Sequence, residues 1–524
     1  MNIRLINIPR LYRYTFPPYG LGVINSYLKK LGLDSDIFDL DIVIKDQNSK
    51  KTLSSIDLEY IKKNIWNFPD FLKEESHDQY LNEQFDKMVS LLKIRDNEIL
   101  AFHVPHKEIY LSLFLAKKIK QAKTCSIILG GLEIKRKSHE HIGQLTRELN
   151  IDYVDHFVTG DPYSFFDKLS SNEIRIFNKQ PEISDHEKKD PDLDWQLPEF
   201  NKEHLDLYRP RPDRLKYFFG EMNQELIDRL GGLKGAKRPL VMPYKFQFGC
   251  NNRCAYCGFG KEPQKLPVDR VMSDIQYLKK KYNSSNFYFL NTNIATEKRY
   301  TENLIQRLQS EHDIQWSDTA NLNMVNPKMI ENFSKSGCIE IFMGFATASQ
   351  KLHNYVGRGP NNNHLEHFSK CFKATDDNGI WMVTDLICGL PYERNKDIIQ
   401  TRNFLLRNKK YINGILTNTF IMMKNSPFAI HPKKYGLKLY QKNYSVNDIA
   451  NGQDITVSNF GGINFDEIYG LKWEKKSRQI ANSAKFFKEL IREKFPNQFY
   501  SWYPIFLLYN NFESKKEIKK FLAN

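Results

Sequence analysis

Twice along this chain, short apolar runs alternate with amphipathic patterns of helical period. That alternation restricts the fold to parallel sheets flanked by helices. In the first 170 residues the apolar runs are Ile3–Ile8, Ile99–Val104, Ser126–Leu129 and Ile151–Val158, with a mixed apolar and acidic run over Ser35–Ile44. Leu21–Leu31, ended by Gly32, and Tyr110–Gln121 have helical spacing between them. The pattern predicts an α/β fold, a Rossmann-like doubly wound parallel sheet over residues 1–177, with a charged, helical insertion over about 45–96. Pro, Asp, Glu and Lys then accumulate in QPEISDHEKKDPDLDWQLPEF and LYRPRPDR, which reads as a linker over residues 178–238 with a helix near Glu221–Leu230.

A second series follows. Its strand candidates are Val241–Phe248, Asn286–Leu290, Ile314–Thr319, Ile339–Met343, Trp381–Ile387 and Gly414–Met422, with helical patterns around Arg270, Tyr300, Lys328, His364 and Lys396. Six β/α units predict a (β/α)6 partial TIM barrel over residues 239–440, with its reactive end at the C-terminal edges of the strands. Residues 441–524 are aromatic-rich and mixed, a small C-terminal region without an assignable fold of its own.

Composition narrows the class. Hydrophobic residues make up 41% and charged residues 27% of 524 residues, a globular balance that excludes disordered and collagen-like chains. No apolar run approaches the roughly 18 residues of a membrane span, and MNIRLINIPR lacks the apolar core of an export signal, so a cytoplasmic location without membrane contact is expected. Seven cysteines make no disulfide scaffold, and clustered cysteines in a reducing compartment read as metal ligands. The net charge of +15 suits an acidic partner. The basic residues are scattered, however, which argues for solvated faces and against a nucleic-acid partner.

The segment that carries chemistry is FQFGCNNRCAYCGFG, where Cys250, Cys254 and Cys257 stand in CxxxCxxC spacing just after a predicted strand. Three thiolates on one tight loop can bind three irons of a [4Fe–4S] cluster and leave the fourth open to a ligand. A zinc site would want a fourth Cys or His in a paired arrangement, and none is obvious. Unrelated core thiols are the other alternative. Cys125, Cys338, Cys371 and Cys388 are scattered, and core packing is their default.

CxxxCxxC after the first strand of a six-unit β/α series resembles the radical S-adenosylmethionine (SAM) superfamily. The resemblance implies that the open iron holds the amino and carboxylate groups of SAM. An electron from the cluster then cleaves SAM to methionine and a 5′-deoxyadenosyl radical, and a low-potential donor, flavodoxin or ferredoxin, supplies that electron. Tyr256 stands where the family has an aromatic beside the adenine. LICGLPYE resembles the family's fifth-strand motif, which places Ile387 and Gly389 near the adenine. KSGCIEIFMGFATASQ resembles the fourth-strand segment, where the family usually reads Gly-Ile-Glu-Ser. Here the acidic residue is missing, and Thr347 and Ser349 are the candidate substitutes. Asn291 and Asn293 stand after the second strand, where an acidic residue is frequent. Each of these four is equally readable as a strand-end cap.

FPPYGLGVINSYLKKLG resembles the opening of cobalamin-binding domains attached to radical SAM enzymes, SIILGGLE resembles their Val-Leu-Gly-Gly-Pro-His segment, and VTGDPYSFFDKL stands where they have Gly-Glu-Gly-Glu. The likeness, with the barrel, covers about residues 1–430. It implies cobalamin contacts at Gly130, Gly131 and Gly160 and near His103. No Asp-x-His-x-x-Gly segment supplies a histidine to cobalt, so a water or an open face is expected below the metal. His103 and His106 read first as loop histidines. The tRNA methylthiotransferases, which carry a second cluster on three N-terminal cysteines, are excluded because Cys125 is the sole cysteine of that region.

These readings converge on a class B radical SAM methyltransferase-like enzyme that uses a [4Fe–4S] cluster, SAM and cobalamin to methylate an unactivated carbon. Its substrate would be a peptide or a small molecule of natural-product biosynthesis. FQFGC and Ala320–Leu322 resemble radical SAM enzymes that mature ribosomally made peptides. Cobalamin-independent radical chemistry (rearrangement, epimerisation or cross-linking) and a non-catalytic Fe–S or nucleic-acid-binding protein are the alternatives.

Overall fold

The computed structural model describes residues 1–9, 16–44, 53, 55–64, 68–73, 78–105, 108–135, 139–175, 181–186, 195–209, 237–258, 262–310, 313–358, 364–423, 425–440, 463–495 and 504–523. They fall into two compact units, one within residues 1–220 and the other within residues 221–442 and 460–524.

In the first unit β1 (Asn2–Asn7), β2 (Asp34–Asp39), β3 (Ile99–His103), β4 (Ser126–Gly130), β5 (His156–Val158) and β6 (Glu182–Ser184) make one sheet in the order β2-β1-β3-β4-β5-β6. Every pair is parallel. Ile3, Leu5, Ile6, Leu100, Phe102, Ile127 and Leu129 are all buried. Successive side chains point to opposite faces, so helices cover both sides, as a parallel sheet requires. The strand order reverses between β1 and β3, and in open sheets of this kind ligands enter at the carboxyl ends of the two strands at that point.

The insertion forms helices Ser55–Asn64, Phe68–Lys73 and Gln79–Leu92. The last starts at an Asp78 carboxylate that accepts from Leu81 N, and its Phe85 packs edge-on against Phe114, 4.6 Å between centroids, on the helix Ile109–Ala122.

Two sequence expectations are corrected in this unit. Of the apolar run Ile151–Val158 only three residues form β5, because Asp155 turns into the sheet edge. Its carboxylate accepts from Ile127 N at 2.7 Å and from Lys120 Nζ at 2.9 Å. The Pro-rich stretch expected as linker contains β6, and residues 195–209 strap the unit. Glu199 N donates to Gly22 O, 2.9 Å, Asn201 Nδ2 donates to Ile37 O, 2.8 Å, and Phe200 fills the space that a Cβ at Gly22 would take. The expected helix near Glu221–Leu230 lies outside the described residues.

In the second unit β7 (Val241–Tyr244), β10 (Asn286–Phe289), β11 (Gln315–Asn321), β12 (Cys338–Ala346), β13 (Trp381–Cys388) and β14 (Gly414–Thr419) run parallel. Their order is β14-β13-β12-β11-β10-β7, the six-strand sequence of a partial barrel. Trp316 stacks on Phe289 at 5.5 Å and Phe345 on Phe404 at 5.2 Å, joining strands to one another and to the outer helices.

The C-terminal residues complete this unit. Helix Trp473–Lys494 packs against β13 and β14. Its Lys476 is fully buried, donating to Leu390 O at 2.7 Å and pairing with Glu467 at 3.1 Å. Helix Pro504–Tyr509 sits below the strands. Asn510 Nδ2 donates to Asn286 Oδ1 and Gln315 Oε1, both 2.9 Å, Tyr509 OH to Gly379 O, 2.6 Å, and Lys515 Nζ to Ile380 O, 2.6 Å. With Ile505, Phe506 and Leu508 fully buried, the N-terminal ends of β10, β11 and β13 are sealed.

Candidate functional site

The cysteine loop leaves β7 through β8 (Gln247–Phe248), which pairs antiparallel with β9 (Gln264–Lys265), so the whole excursion is closed at its neck. Gly249 turns the chain at φ +88°, a value that favours glycine, and its N–H donates to Thr292 Oγ1 at 3.2 Å. Further bonds shape the loop. Asn251 Nδ2 donates to Thr296 O, 3.0 Å, Ala255 N to Val356 O, 2.8 Å, Phe428 N to Ala255 O, 2.9 Å, and Cys257 N to Cys254 O, 3.0 Å. Cys254 is buried, while Cys250 and Cys257 are partly exposed. Among the described residues no three metal-ligating side chains converge tightly enough for a single ion. A cubane instead spreads its thiolates over separate corners.

Arg358 lies beside these thiols. It is 3% exposed. Its Nη2 donates to Gly344 O at 2.7 Å, while Nε and Nη1 have no hydrogen-bond partner among the described residues. Burial opposes its charge, but Tyr256, Cys254, Asp385 and Cys250 surround it and together push its pKa above the ordinary arginine value. Burial pushes the Cys254 thiol up, and the Arg358 guanidinium pulls it back. A buried cation with unmet N–H groups among sulfurs is a site for an anion, since leaving such donors unpaired costs about 1–3 kcal/mol each.

Of the residues predicted around this loop, Tyr256 and Ile387 share one apolar group with Ala255. Asn293 Nδ2 donates to Cys250 Sγ at 3.6 Å and to Met324 Sδ at 3.1 Å. Asn291 holds the frame. Its Oδ1 accepts from Gln247 N at 2.9 Å and its Nδ2 donates to Asp318 at 2.7 Å. Ser349 Oγ donates to Asp397 at 2.6 Å and caps the helix Gln350–Tyr355, and Thr347 Oγ1 lies 3.3 Å from Thr401 Oγ1. Both are engaged with neighbouring elements. Gly389 turns at φ +88° with a hypothetical Cβ 2.4 Å from Ile480 Cγ1, and its N–H donates to Glu393 at 3.1 Å. Where the family's acidic residue is missing, Asp385 accepts from Phe345 N at 2.6 Å and Ala346 N at 3.3 Å. This holds Ala346 at φ +66°, a strained value for a residue with a side chain.

Sequence reasoning missed Arg358 and Asp385. An arginine between glycines in the segment VGRGP was the available signal for the first. The scattered thiols behave as core groups. Cys388 and Cys371 are pushed up by burial to about 12, Cys125 to about 11, and Cys338 is raised as well.

In the first unit, Asn7, His103 and Gly130 end β1, β3 and β4 side by side. A Cβ at Gly131 would lie 2.8 Å from His103 Cδ2, and one at Gly160 would lie 2.4 Å from His186 N, so the chain itself occupies both spaces. Gly130 meets nothing closer than 3.7 Å, and next to it Leu132 is 49% exposed. His106 lies outside the described residues.

Residues 244–405 match the Radical SAM superfamily. A stretch of 161 residues is 24% identical to an uncharacterized methyltransferase of Pyrococcus horikoshii, covering 30% of this chain and 34% of that protein, so the match spans about a third of the relative's length. The fold is similar to that of TsrM, a radical S-adenosylmethionine methyltransferase from Kitasatospora setae with cobalamin and a [4Fe–4S] cluster bound. The TM-score is 0.54 and the identity 10% over 93% of this chain and 88% of that one. It is also similar to OxsB, a cobalamin-dependent S-adenosylmethionine radical enzyme with aqua-cobalamin and S-adenosylmethionine bound, at TM-score 0.57 and 12% identity over 95% and 67%. At these identities the likeness is one of fold. No helix among the described residues is long and apolar enough to cross a membrane.

Proposed function

We infer, from a chain whose residues 244–405 form a radical SAM domain, that it is a cobalamin-dependent radical SAM methyltransferase acting on an unactivated carbon of a peptide or small molecule. The observation that carries this is the closed CxxxCxxC loop with a buried, under-bonded Arg358 beside it. Fold likeness across both units to TsrM and OxsB supports the cobalamin half.

Cys250, Cys254 and Cys257 would each hold one iron of a [4Fe–4S] cluster, and bound SAM supplies the radical and the methyl group. Arg358 would hold the SAM carboxylate through Nε and Nη1 by charge-assisted hydrogen bonds. Asn293 donates to the Cys250 sulfur, and hydrogen bonds to cluster sulfurs tune its potential. Tyr256 and Ile387 present apolar surface for the adenine.

In the first unit, the exposed Leu132 and Gly130, where even a Cβ would meet Val158 only at ordinary contact distance, suit an apolar, flat ligand at the strand ends, and cobalamin would supply a methyl-carrying cobalt there. The spaces filled at Gly131 and Gly160 favour the second reading, radical chemistry without cobalamin. Anaerobic reconstitution with and without cobalamin separates the two. With substrate, methyl transfer should produce 5′-deoxyadenosine and S-adenosylhomocysteine in similar amounts, the S-adenosylhomocysteine depending on cobalamin. 5′-Deoxyadenosine alone, with product mass unchanged or lowered by hydrogen, would decide for the second.

A further inference from the structure

We propose that the basic face built from the turn Pro432–Tyr435 and strand β15 (Leu437–Tyr440) is the docking surface for a small acidic one-electron carrier protein that reduces the cluster. The inference rests on the reading that the cysteine loop holds a redox cluster.

Position is the first argument. Ala255 and Tyr256 of the cysteine loop share one apolar group with Phe420, Phe428, Tyr435 and Leu437. Phe428 N donates to Ala255 O at 2.9 Å, Asn425 Nδ2 to Gly258 O at 3.1 Å, and Tyr355 OH to Tyr435 O at 2.7 Å. The inner side of the segment 425–440 is therefore packed on the loop, and its outer side is protein surface.

Charge is the second. Lys433, Lys434 and Lys438 are exposed, and among the described residues none of them forms an ion pair. Lys434 and Lys438 rest over the rings of Tyr435 and Tyr440, 5.8 and 5.9 Å from the centroids. The two carboxylates of the hairpin itself are buried and engaged. Asp466, opposite Lys438 in the hairpin with β16 (Asn464–Glu467), accepts from Trp473 N at 2.8 Å, and Glu467 pairs with Arg394 and Lys476. The field leaving this face is positive, which steers an acidic partner.

Exposed apolar area is the third. Ile430 (58% exposed), Tyr440 (38%), Ile468 (46%) and Tyr469 (86%) are four of the ten large hydrophobic residues exposed in the described chain. They belong to this one region, for Ile468 N donates to Gly436 O at 2.8 Å. Aromatic and aliphatic side chains ringed by lysines make a small, transient protein interface. On docking, the carrier would be oxidised by one electron and the cluster reduced by one. No bond forms or breaks.

The test uses the full-length reconstituted protein and its Lys433→Glu/Lys434→Glu/Lys438→Glu variant, reduced either by flavodoxin hydroquinone or by dithionite, with cluster bleaching followed in stopped flow. Flavodoxin should reduce the variant about tenfold more slowly than the parent at low salt, and added salt should close the gap. Dithionite should reduce both equally. Tyr469→Ser should slow the flavodoxin reaction alone. Equal flavodoxin rates in all proteins, with the cluster reducible by dithionite, would overturn the docking surface and leave the proposed function standing. So would binding of an acidic peptide to this face with no effect on reduction. A protein that assembles no reducible cluster would overturn both.

Discussion

His103 Nδ1 lies 3.1 Å from Asn7 Oδ1, joining the last residues of β3 and β1 where the strand order reverses. Asn7 Nδ2 donates to Asp39 Oδ1 at 3.0 Å, which leaves Asn7 Oδ1 as the acceptor and His103 Nδ1 as the donor. Gly131 covers the ring edge at Cδ2. The bond fixes the ring proton on Nδ1. Because the sequence has no Asp-x-His-x-x-Gly segment to present a histidine to cobalt, the Co(II) form with cobalamin bound should show no nitrogen splitting in paramagnetic resonance, and His103→Ala should leave that spectrum unchanged. A nitrogen pattern that vanishes in the variant would make His103 a cobalt ligand.

Replacing Cys250, Cys254 or Cys257 by Ala should abolish Fe–S absorbance and SAM cleavage, since a cluster with an open iron has no spare thiolate. Cys338→Ala and Cys388→Ala should keep both, because these thiols are buried and protonated. A triad variant that still releases 5′-deoxyadenosine would refute the assignment.

Arg358→Gln should keep the cluster absorbance and weaken SAM binding roughly tenfold to a hundredfold, the worth of a hydrogen bond to a charged group of about 1.5–3 kcal/mol. Equilibrium binding of SAM to the oxidised protein measures this directly. Unchanged affinity would mean that the guanidinium serves the loop alone.

Lys476→Ala should destabilise the second unit by about 3 kcal/mol, because it leaves buried Glu467 with Arg394 alone and removes the cation that faces buried Glu393. Glu467 and Lys476 are both fully buried, and Lys476 also lowers the pKa of Glu393 against burial. Urea unfolding followed by tryptophan fluorescence measures the loss. A shift below about 1 kcal/mol would place this network outside the range of buried pairs.

Burial, then repulsion from Asp41, raises Asp39 from 3.8 to about 6. A carboxyl whose pKa rises on folding holds its proton more tightly in the fold. The first unit should therefore lose stability from this group as pH climbs from about 4 to about 6, by about 2–3 kcal/mol in all. Asp39→Asn, uncharged throughout, should flatten that slope in thermal unfolding. An identical slope in both proteins would contradict the assignment.

Most strands of the two sheets were legible because period and composition act locally: each apolar run between Val241 and Met422 overlaps a strand of the second sheet. The cysteine loop was legible for the same reason, since its chemistry is spelled in eight consecutive residues. β6 was not, being three residues that pair in the sheet with β5 alone. Arg358 gains its meaning from Cys254, and the C-terminal helices from Asn286, Ile380 and Leu390, all distant in sequence. Thr347 and Ser349 show the converse. Their polarity was plain, but only the fold reveals that Thr401 and Asp397 use it.

The seal beneath the second sheet bears on how the chain is made. Asn510 bonds to residues of β10 and β11 that leave the ribosome 224 and 195 residues earlier. At about 5–20 residues per second, those strand ends wait tens of seconds for their cover. During synthesis the lower end of the sheet is therefore bare while the cysteine loop is already outside the ribosome. Stalling or truncation ahead of Pro504 should leave a chain that can present its thiols but still exposes the apolar underside of its strands.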